Sequence, residues 1–283
     1  MDRRLILGGT GFIGATIVRR LALEPGTSSV SLSSAQCDLS VSEQCRETLP
    51  PLVEDATVIF AAGIPRMRSN TLAALQANLA MIHNLTELFC QTPPRRVIFL
   101  SSVEIYGQPS RLPIDEETEI APRTLYGIGK VAAELMLEAW HMKSGVPLVT
   151  LRLPGIYGPG DKGRGLIGKL MQCVPSGESF QLYGDGSSQR DFVLAEDLAE
   201  IVATLTATEF TRLTLNVATG RSHSVAEIIK HVFALYDACP VSKVSQAEPD
   251  YDLLFDISRL HEVFPALAMT PLDEGLKRYA TET

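Results

Sequence analysis

The stretch LILGGTGFIGATIVRRL, residues Leu5 to Leu21, decides the fold. It opens on a short apolar run, Leu5–Leu7, breaks at glycines, and continues from Ile13 to Leu23 with helical spacing. Gly8-x-x-Gly11-x-x-Gly14 is present, and Gly9-x-Gly11-x-x-Gly14 also fits the dinucleotide fingerprint. Glycines permit the tight turn, let the backbone approach a pyrophosphate, and let the helix pack closely on the strand. The helix N-terminus adds free N–H groups and a positive dipole end. The bland alternative is an ordinary βα turn. A strand before the glycines and a helix after them favour the phosphate loop.

Working outward, short apolar runs alternate with helical patterns, as βαβ units require. Val30–Ser33 reads as a weak second strand, Thr57–Ala61 as a buried one, and Val97–Leu100 as another, stopped by Ser101–Ser102. Apolar residues at Leu72, Leu75, Leu79, Ile82 and Phe89 predict an amphipathic helix over 71–90. A further helix is expected over 124–143 and a strand over Val146–Leu153. Glycine and proline become frequent after about residue 157, which suggests a loop-rich annex facing a substrate. Asp197–Leu205 returns as a helix, Thr214–Val217 as a strand, and Val225–Leu235 and Leu272–Tyr279 as helices. The expected fold class is α/β: a Rossmann-type doubly wound parallel sheet with a smaller C-terminal α/β substrate-binding annex. The dinucleotide-binding domain is placed at 1–157, with 191–220 rejoining it, and the substrate-binding part at 158–190 and 221–283.

The 283 residues are 45% hydrophobic and 20% charged, enough for a sizeable core. The net charge of −8, with no basic run, argues against nucleic acid as a partner. No apolar stretch reaches the ~18–20 residues of a membrane span, and the N-terminus does not read as a signal peptide. Five scattered cysteines without a CxxC pair suggest neither a disulfide framework nor a zinc site, so a cytoplasmic location is expected. The five histidines show no ligand spacing, and no metal is assigned.

At the end of the second strand, where NAD-binding chains usually hold the adenosine ribose with Asp or Glu, stand Ser33 and Ser34. The cofactor is therefore NAD or NADP, with a lean to NADP; Arg19 or Arg20 would have to fold back to meet a 2′-phosphate. Asp38 either touches the adenine edge or caps the following helix. Tyr126 and Lys130, four apart on a helix, share one face. A nearby ammonium favours tyrosinate, and such a tyrosine can take a proton from a hydroxyl as hydride leaves to nicotinamide. Ser101 and Ser102 end a strand at the carboxyl edge of the presumed sheet, where α/β folds bind ligands.

Taken together, these motifs resemble the extended short-chain dehydrogenase/reductase family, in its nucleotide-sugar epimerase/dehydratase branch, over nearly the whole chain. GGTGFIG resembles its cofactor loop, FLSSVEIYG the strand and turn with the catalytic hydroxyl, and YGIGK the Tyr–Lys pair. LRLPGIYGPGD and LYGDGSSQRDFVLAEDLA resemble its late motifs. The resemblance implies a Ser-Tyr-Lys mechanism with Ser102, Tyr126 and Lys130 catalytic. It implies cofactor contacts from Gly8, Gly11, Phe12, Ile13, Gly14, Ser33, Asp38, Ala61, Ala62, Asn78, Tyr126 and Lys130, and substrate contacts from Ser102, Glu104, Gly155 and Arg190. It also implies a homodimer through the helices at 71–90 and 124–143. Two departures stand out. Pro154-Gly155 replaces a substrate-contacting asparagine, and Glu248 precedes Pro249 where many members have an arginine, with Arg164 or Arg221 as substitutes. Arg190 and Asp191 are otherwise readable as an ion pair.

Glu104 shares a side with Ser102 if the strand runs on, and is then a candidate base for a proton alpha to a 4-keto group; otherwise it is a solvated or capping residue. Dehydratases that pair this glutamate with a preceding aspartate have Val103 here instead. The expected function is an NAD(P)-dependent oxidoreductase or isomerase acting on a nucleotide-activated sugar. Epimerase or 4-ketoreductase ranks above 4,6-dehydratase. The alternatives are a reductase of a small non-nucleotide ketone or aldehyde, and a dinucleotide-sensing protein without turnover.

Overall fold

The computed structural model describes residues 2–163, 165–236, 240–244 and 251–282. In chain order these form β1 (Asp2–Leu7), α1 (Phe12–Leu21), β2 (Thr27–Leu32), α2 (Ser42–Thr48), α3 (Pro50–Val53), β3 (Ala56–Phe60), α4 (Leu72–Gln91) and β4 (Arg96–Ser102). A 3-10 turn, Val103–Tyr106, follows; then come α5 (Leu125–Ser144), β5 (Leu148–Leu153), β6 (Gly155–Tyr157), α6 (Leu166–Ser176), β7 (Phe180–Tyr183), β8 (Gln189–Arg190) and β9 (Phe192–Leu194). The remainder is α7 (Ala195–Ala207), β10 (Arg212–Asn216), β11 (His223–Ser224), α8 (Val225–Phe233), β12 (Val241–Val244), α9 (Ser258–Val263) and α10 (Leu272–Thr281).

One compact unit comprises 1–107, 120–153 and 198–215. Its sheet runs β10-β5-β4-β3-β1-β2, and the β5-β4-β3-β1-β2 neighbours pair in parallel. Every residue of β3 and β4 is buried, as expected for strands covered on both faces. Leu5, Leu7, Val58, Phe60, Val97 and Phe99 pack with Ile82, Leu85, Phe89, Leu137 and Trp140 of α4 and α5 in a single core. β2 begins at Thr27, earlier than its apolar content suggests, because β1 sets its register from Asp2↔Thr27 to Leu7↔Leu32. As an edge strand it tolerates serines that an interior strand would not. Thr71 caps α4, accepting from Ala74 N at 3.3 Å, and Thr124 caps α5, accepting from Gly127 N at 2.9 Å. The chain passes from β1 to β2 on one side and reaches β3 on the other. The carboxyl ends of β1 and β3 therefore flank the switch point at which open α/β sheets bind ligands.

The second unit comprises 108–119, 154–197 and 216–283. It contains strand pairs β6·β9, β8·β11 and β7·β12. Tyr157, Leu170, Met171, Leu194, Ile228, Val232, Leu276 and Tyr279 are among the residues of its own core. The segment 108–119 belongs here because Ile114 N donates to Leu254 O at 2.7 Å and Glu116 Oε1 accepts from Asn216 N at 2.7 Å.

Candidate active site

The glycine loop joins β1 to α1. Gly8 has φ +87°, and a Cβ there would lie 2.8 Å from the backbone of Ala62. A Cβ on Gly14 would lie 2.2 Å from the Gly8 carbonyl oxygen. Gly11, the N-cap of α1, would meet only Gly8 O, at 3.3 Å, and no side chain caps the helix. The first helical bond is Ala15 N to Gly11 O, so the N–H groups of Phe12, Ile13 and Gly14 have no intrahelical acceptor. The first turn carries no acid. A small uncapped cradle with free donors and a positive dipole end fits the pyrophosphate of a dinucleotide.

Around this cradle, Ala61 N donates to Leu7 O at 3.0 Å. Asn78 grips the loop after β3 at both ends of its amide: Oδ1 accepts from Ile64 N at 2.8 Å, and Nδ2 donates to Ile64 O at 3.0 Å. It shapes this loop through the backbone of Ile64. Ser33 N and Oγ both donate to Gln36 Oε1, at 3.0 and 2.9 Å. Asp38 Oδ1 accepts from Ser40 N and Oγ at 2.9 and 2.7 Å in a local turn ahead of α2, whose N-cap Val41 has no side-chain cap, so this carboxylate does not cap the helix. Arg20 pairs with Glu200 and Glu24, while Arg19 donates to Thr16 Oγ1 at 2.9 Å.

Ser102, Tyr126 and Lys130 come together at the carboxyl end of β4. Ser102 acts on the Tyr126 phenol to lower its pKa, and Ser102 Oγ accepts from Glu104 N at 3.2 Å. Asn70 Oδ1 holds the start of α5 by accepting from Tyr126 N at 3.1 Å. The Lys130 ammonium donates to Leu100 O at 2.6 Å and lies 4.7 Å from the Phe99 ring centroid and 5.8 Å from that of Tyr126. Burial pulls the ammonium down to about 8, and the Glu134 carboxylate acts against that fall. Burial holds the Tyr126 phenol above its ordinary range and the charge of Glu104 adds to this; Ser102 and Arg66 act in the opposite direction. The net shift is thus upward, opposite to what the Tyr–Lys spacing alone implies. The physical reason is that a carboxylate and a dry environment both penalise tyrosinate.

Glu104 does not continue the strand, because the chain turns into the 3-10 segment at Val103. The turn still brings its charge near Tyr126. Both of its oxygens are engaged: Arg66 Nε donates to Oε1 at 2.7 Å and Thr124 Oγ1 to Oε2 at 2.9 Å. Arg66 and Asn70 lie in the loop after β3, and no local sequence pattern singled them out. Glu134 was legible in principle, since it repeats the Tyr126–Lys130 interval once more along α5.

In the second unit, Arg190 donates to the carbonyls of Gln189 and Tyr251, and its guanidinium lies 5.6 Å from the Tyr251 ring centroid. Asp191 accepts from Thr219 N at 3.0 Å and from its hydroxyl at 2.9 Å. A Cβ on Gly155 would lie 2.5 Å from the Phe192 ring, so packing leaves room only for glycine there. His223, His231 and His261 line a cavity of about 490 Å³ with Arg221. Among the described residues no group of His, Cys, Asp and Glu is arranged to hold a metal. Arg164, Glu248 and Pro249 lie outside the described residues.

A parallel sheet with a glycine-lined pyrophosphate cradle at its switch point defines a dinucleotide-binding α/β protein. The profile of the NAD dependent epimerase/dehydratase family matches residues 4–218, and the chain belongs to that family of enzymes. It is 27% identical to a putative UDP-glucose 4-epimerase of Methanocaldococcus jannaschii over 97% of this chain and 96% of that protein. It spans less than half the length of several multifunctional relatives that it also matches. Its fold is that of the Thermus thermophilus UDP-glucose 4-epimerase in complex with NAD, with TM-score 0.87, 23% identity, and 99% of this chain and 98% of the other covered. It is also that of RMD from Pseudomonas aeruginosa complexed with NADPH, with TM-score 0.86, 22% identity and the same coverage. Among the described residues no helix is long and apolar enough to cross a membrane.

Proposed function

We propose that the enzyme interconverts or reduces a nucleotide-activated sugar at C4, using Ser102, Tyr126 and Lys130. The observation that carries this is the meeting of those three side chains at the carboxyl end of β4, in the unit that also holds the glycine cradle. When bound, NAD(P) supplies a hydride acceptor and, in its reduced form, a donor. The Tyr126 phenol, raised by burial, is protonated at neutral pH and poised to give its proton to a keto oxygen. In the opposite direction Tyr126 Oη takes the hydroxyl proton, with the Lys130 charge favouring the tyrosinate so formed. Ser102 orients the reacting oxygen through its hydroxyl.

Epimerase or 4-ketoreductase is preferred to 4,6-dehydratase. Both oxygens of Glu104 are already engaged by Arg66 and Thr124, and Val103 offers no proton donor. Reduction of a small non-nucleotide ketone is a second reading, favoured by Gly155, whose packing on Phe192 leaves no donor side chain where the family contacts the sugar. For the cofactor we favour NADP. Ser33 and Ser34 follow β2 without a carboxylate, and Arg19 is the candidate partner of a 2′-phosphate because Arg20 is taken by Glu200. A cytoplasmic location fits the free thiols of Cys37, Cys45 and Cys90. A homodimer is supported by an apolar stripe on the outer face of α5, where Ile128, Leu135 and Met142 recur every seven residues; Leu135 is 64% and Met142 72% exposed. Light scattering should give a dimer that Leu135→Glu converts to a monomer.

The deciding test is Tyr126→Phe, assayed with UDP-glucose, a 4-keto sugar nucleotide and a simple ketone. Turnover should fall by roughly 10²–10⁴ while NAD(P) binding persists. Unchanged turnover overturns the acid/base assignment. Turnover of the ketone alone establishes the second reading.

A further inference from the structure

Glu134 sits one turn beyond Lys130 on α5 and is held from several sides. Ser101 Oγ donates to its Oε1. Arg152 Nη2 reaches Oε2 at 2.9 Å, and Arg152 Nε lies 3.4 and 3.3 Å from the two oxygens. Arg152 Nη1 continues to Tyr106 Oη at 2.9 Å. The side chains of Glu134 and Arg152 are only 12% and 8% exposed.

A buried ion pair is a poor stabilising device, because desolvating two charges offsets most of their attraction. Well-packed apolar residues would serve stability as well or better, so the cluster calls for another reason. Lys130 provides one. Its ammonium is itself withdrawn from water and points at an uncharged carbonyl. From α5, Tyr126 and Glu134 face it; from β4, the Leu100 carbonyl and the Phe99 ring. Arg152 of β5 and Tyr106 act on Glu134, and Glu104 and Arg66 act on Tyr126. Glu134 is the carboxylate whose field favours the charged lysine. Arg152, Glu134 and Lys130 together carry one net positive charge, and removing Glu134 would leave two buried cations. Glu134 also anchors Ser101, the chain neighbour of Ser102.

We propose that Glu134 is a positioning residue for the proton-transfer site: clamped by Ser101 and Arg152, it supplies the negative charge that keeps Lys130 an ammonium and fixes the end of β4 that presents Ser102. The proposal rests on the Ser102–Tyr126–Lys130 reading for its catalytic meaning, but not for its statement about Lys130.

The test is carried out on the protein without added nucleotide. Lysine labelled at Cε and Nζ is titrated by NMR, with the Lys130 signal assigned through Lys130→Met. In wild type its midpoint is expected near 8. Glu134→Gln should move it down by about one pH unit or more, as the loss of a nearby unit charge at an effective dielectric of ~20 implies. Glu134→Asp should restore much of the shift. If Glu134→Gln fails to fold because Arg152 is left unpaired, Glu134→Gln/Arg152→Met removes both charges and should still titrate low at Lys130. In turnover, the alkaline limb of the pH–kcat profile should move down with the midpoint, whereas a purely structural role lowers activity equally at every pH. An unmoved Lys130 midpoint in the Gln variants overturns the proposal whatever the activity. A moved midpoint in a protein whose Tyr126→Phe variant keeps full activity overturns the acid/base reading instead, and leaves Glu134 as the residue that sets the lysine.

Discussion

Replacing Gly11 and Gly14 by alanine, one at a time, separates two demands that the glycine loop answers at once. At Gly14 the new Cβ would stand 2.2 Å from Gly8 O and 2.9 Å from Gly8 C and Gly9 Cα, all backbone atoms. Ordinary contacts begin near ~3.5 Å, so α1 must withdraw from β1 by roughly 1 Å. Overpacking of this kind costs about 1–3 kcal/mol and occasionally more, against which alanine regains up to about 1 kcal/mol of helix propensity. A net loss of about 2 kcal/mol corresponds to a melting temperature lower by roughly 4–8 °C in a chain of this size. At Gly11 the backbone angles, φ −73° and ψ 165°, suit any L-residue, and the only close neighbour is Gly8 O at 3.3 Å. The poorer N-cap and the stiffer unfolded chain offset one another to within about 0.5 kcal/mol. The methyl then projects into open space at the helix N-terminus, where a pyrophosphate must approach. NAD(P) affinity should fall at least about tenfold with the melting temperature nearly unchanged. Differential scanning fluorimetry without cofactor and calorimetric titration with NAD and NADP make the comparison. If Gly11→Ala melts as low as Gly14→Ala, or binds dinucleotide as tightly as wild type, this division of roles is wrong.

Three further outcomes follow from particular contacts. Lys130 is depressed to about 8 from 10.5 in the folded chain, so between those pH values the unfolded chain binds more protons and wild-type stability rises with pH. Lys130→Met should therefore exceed wild type by up to about 3 kcal/mol at pH 7, with the gap closing between pH 8 and 10.5 in urea titrations. A gap independent of pH refutes the buried charge. Thr124→Val removes both the α5 cap and the Glu104 partner and should lower stability by about 1 kcal/mol, while Thr124→Ser retains both contacts and stays near wild type in thermal melts. Arg190→Lys loses the planar guanidinium whose Nη1 donates to the Gln189 and Tyr251 carbonyls, and the KM for a nucleotide sugar should rise roughly tenfold or more with NAD(P) affinity unchanged. An unchanged KM removes Arg190 from the substrate contacts.

Local chemistry made one part of this protein legible in its sequence. Glycine spacing is read directly because steric exclusion at Gly14 acts against Gly8 and Gly9, residues near in the chain. The Tyr126–Lys130 interval is read directly because a helix places residues four apart on one face. The buried runs TVIFA and VIFL announce interior strands because a covered parallel sheet tolerates little else. Other features depended on partners distant in sequence. β2 exists at Thr27 because β1 supplies its register. Glu104 is turned by a 3-10 segment and met by Arg66 from a different loop, so alternation along a strand was the wrong guide. The upward shift of Tyr126 comes from burial and from Glu104, neither of which is a property of the Tyr-x-x-x-Lys pattern. The Ser101–Glu134–Arg152–Tyr106 cluster joins β4, α5, β5 and the turn after β4, and only their packing brings those groups within hydrogen-bonding reach. The sequence by itself determined the class of fold and the candidates for the chemistry, through short-range sterics and periodicity. Tertiary structure decided which charges surround those residues, because electrostatic fields in a dry interior depend on distance in space and not on separation along the chain.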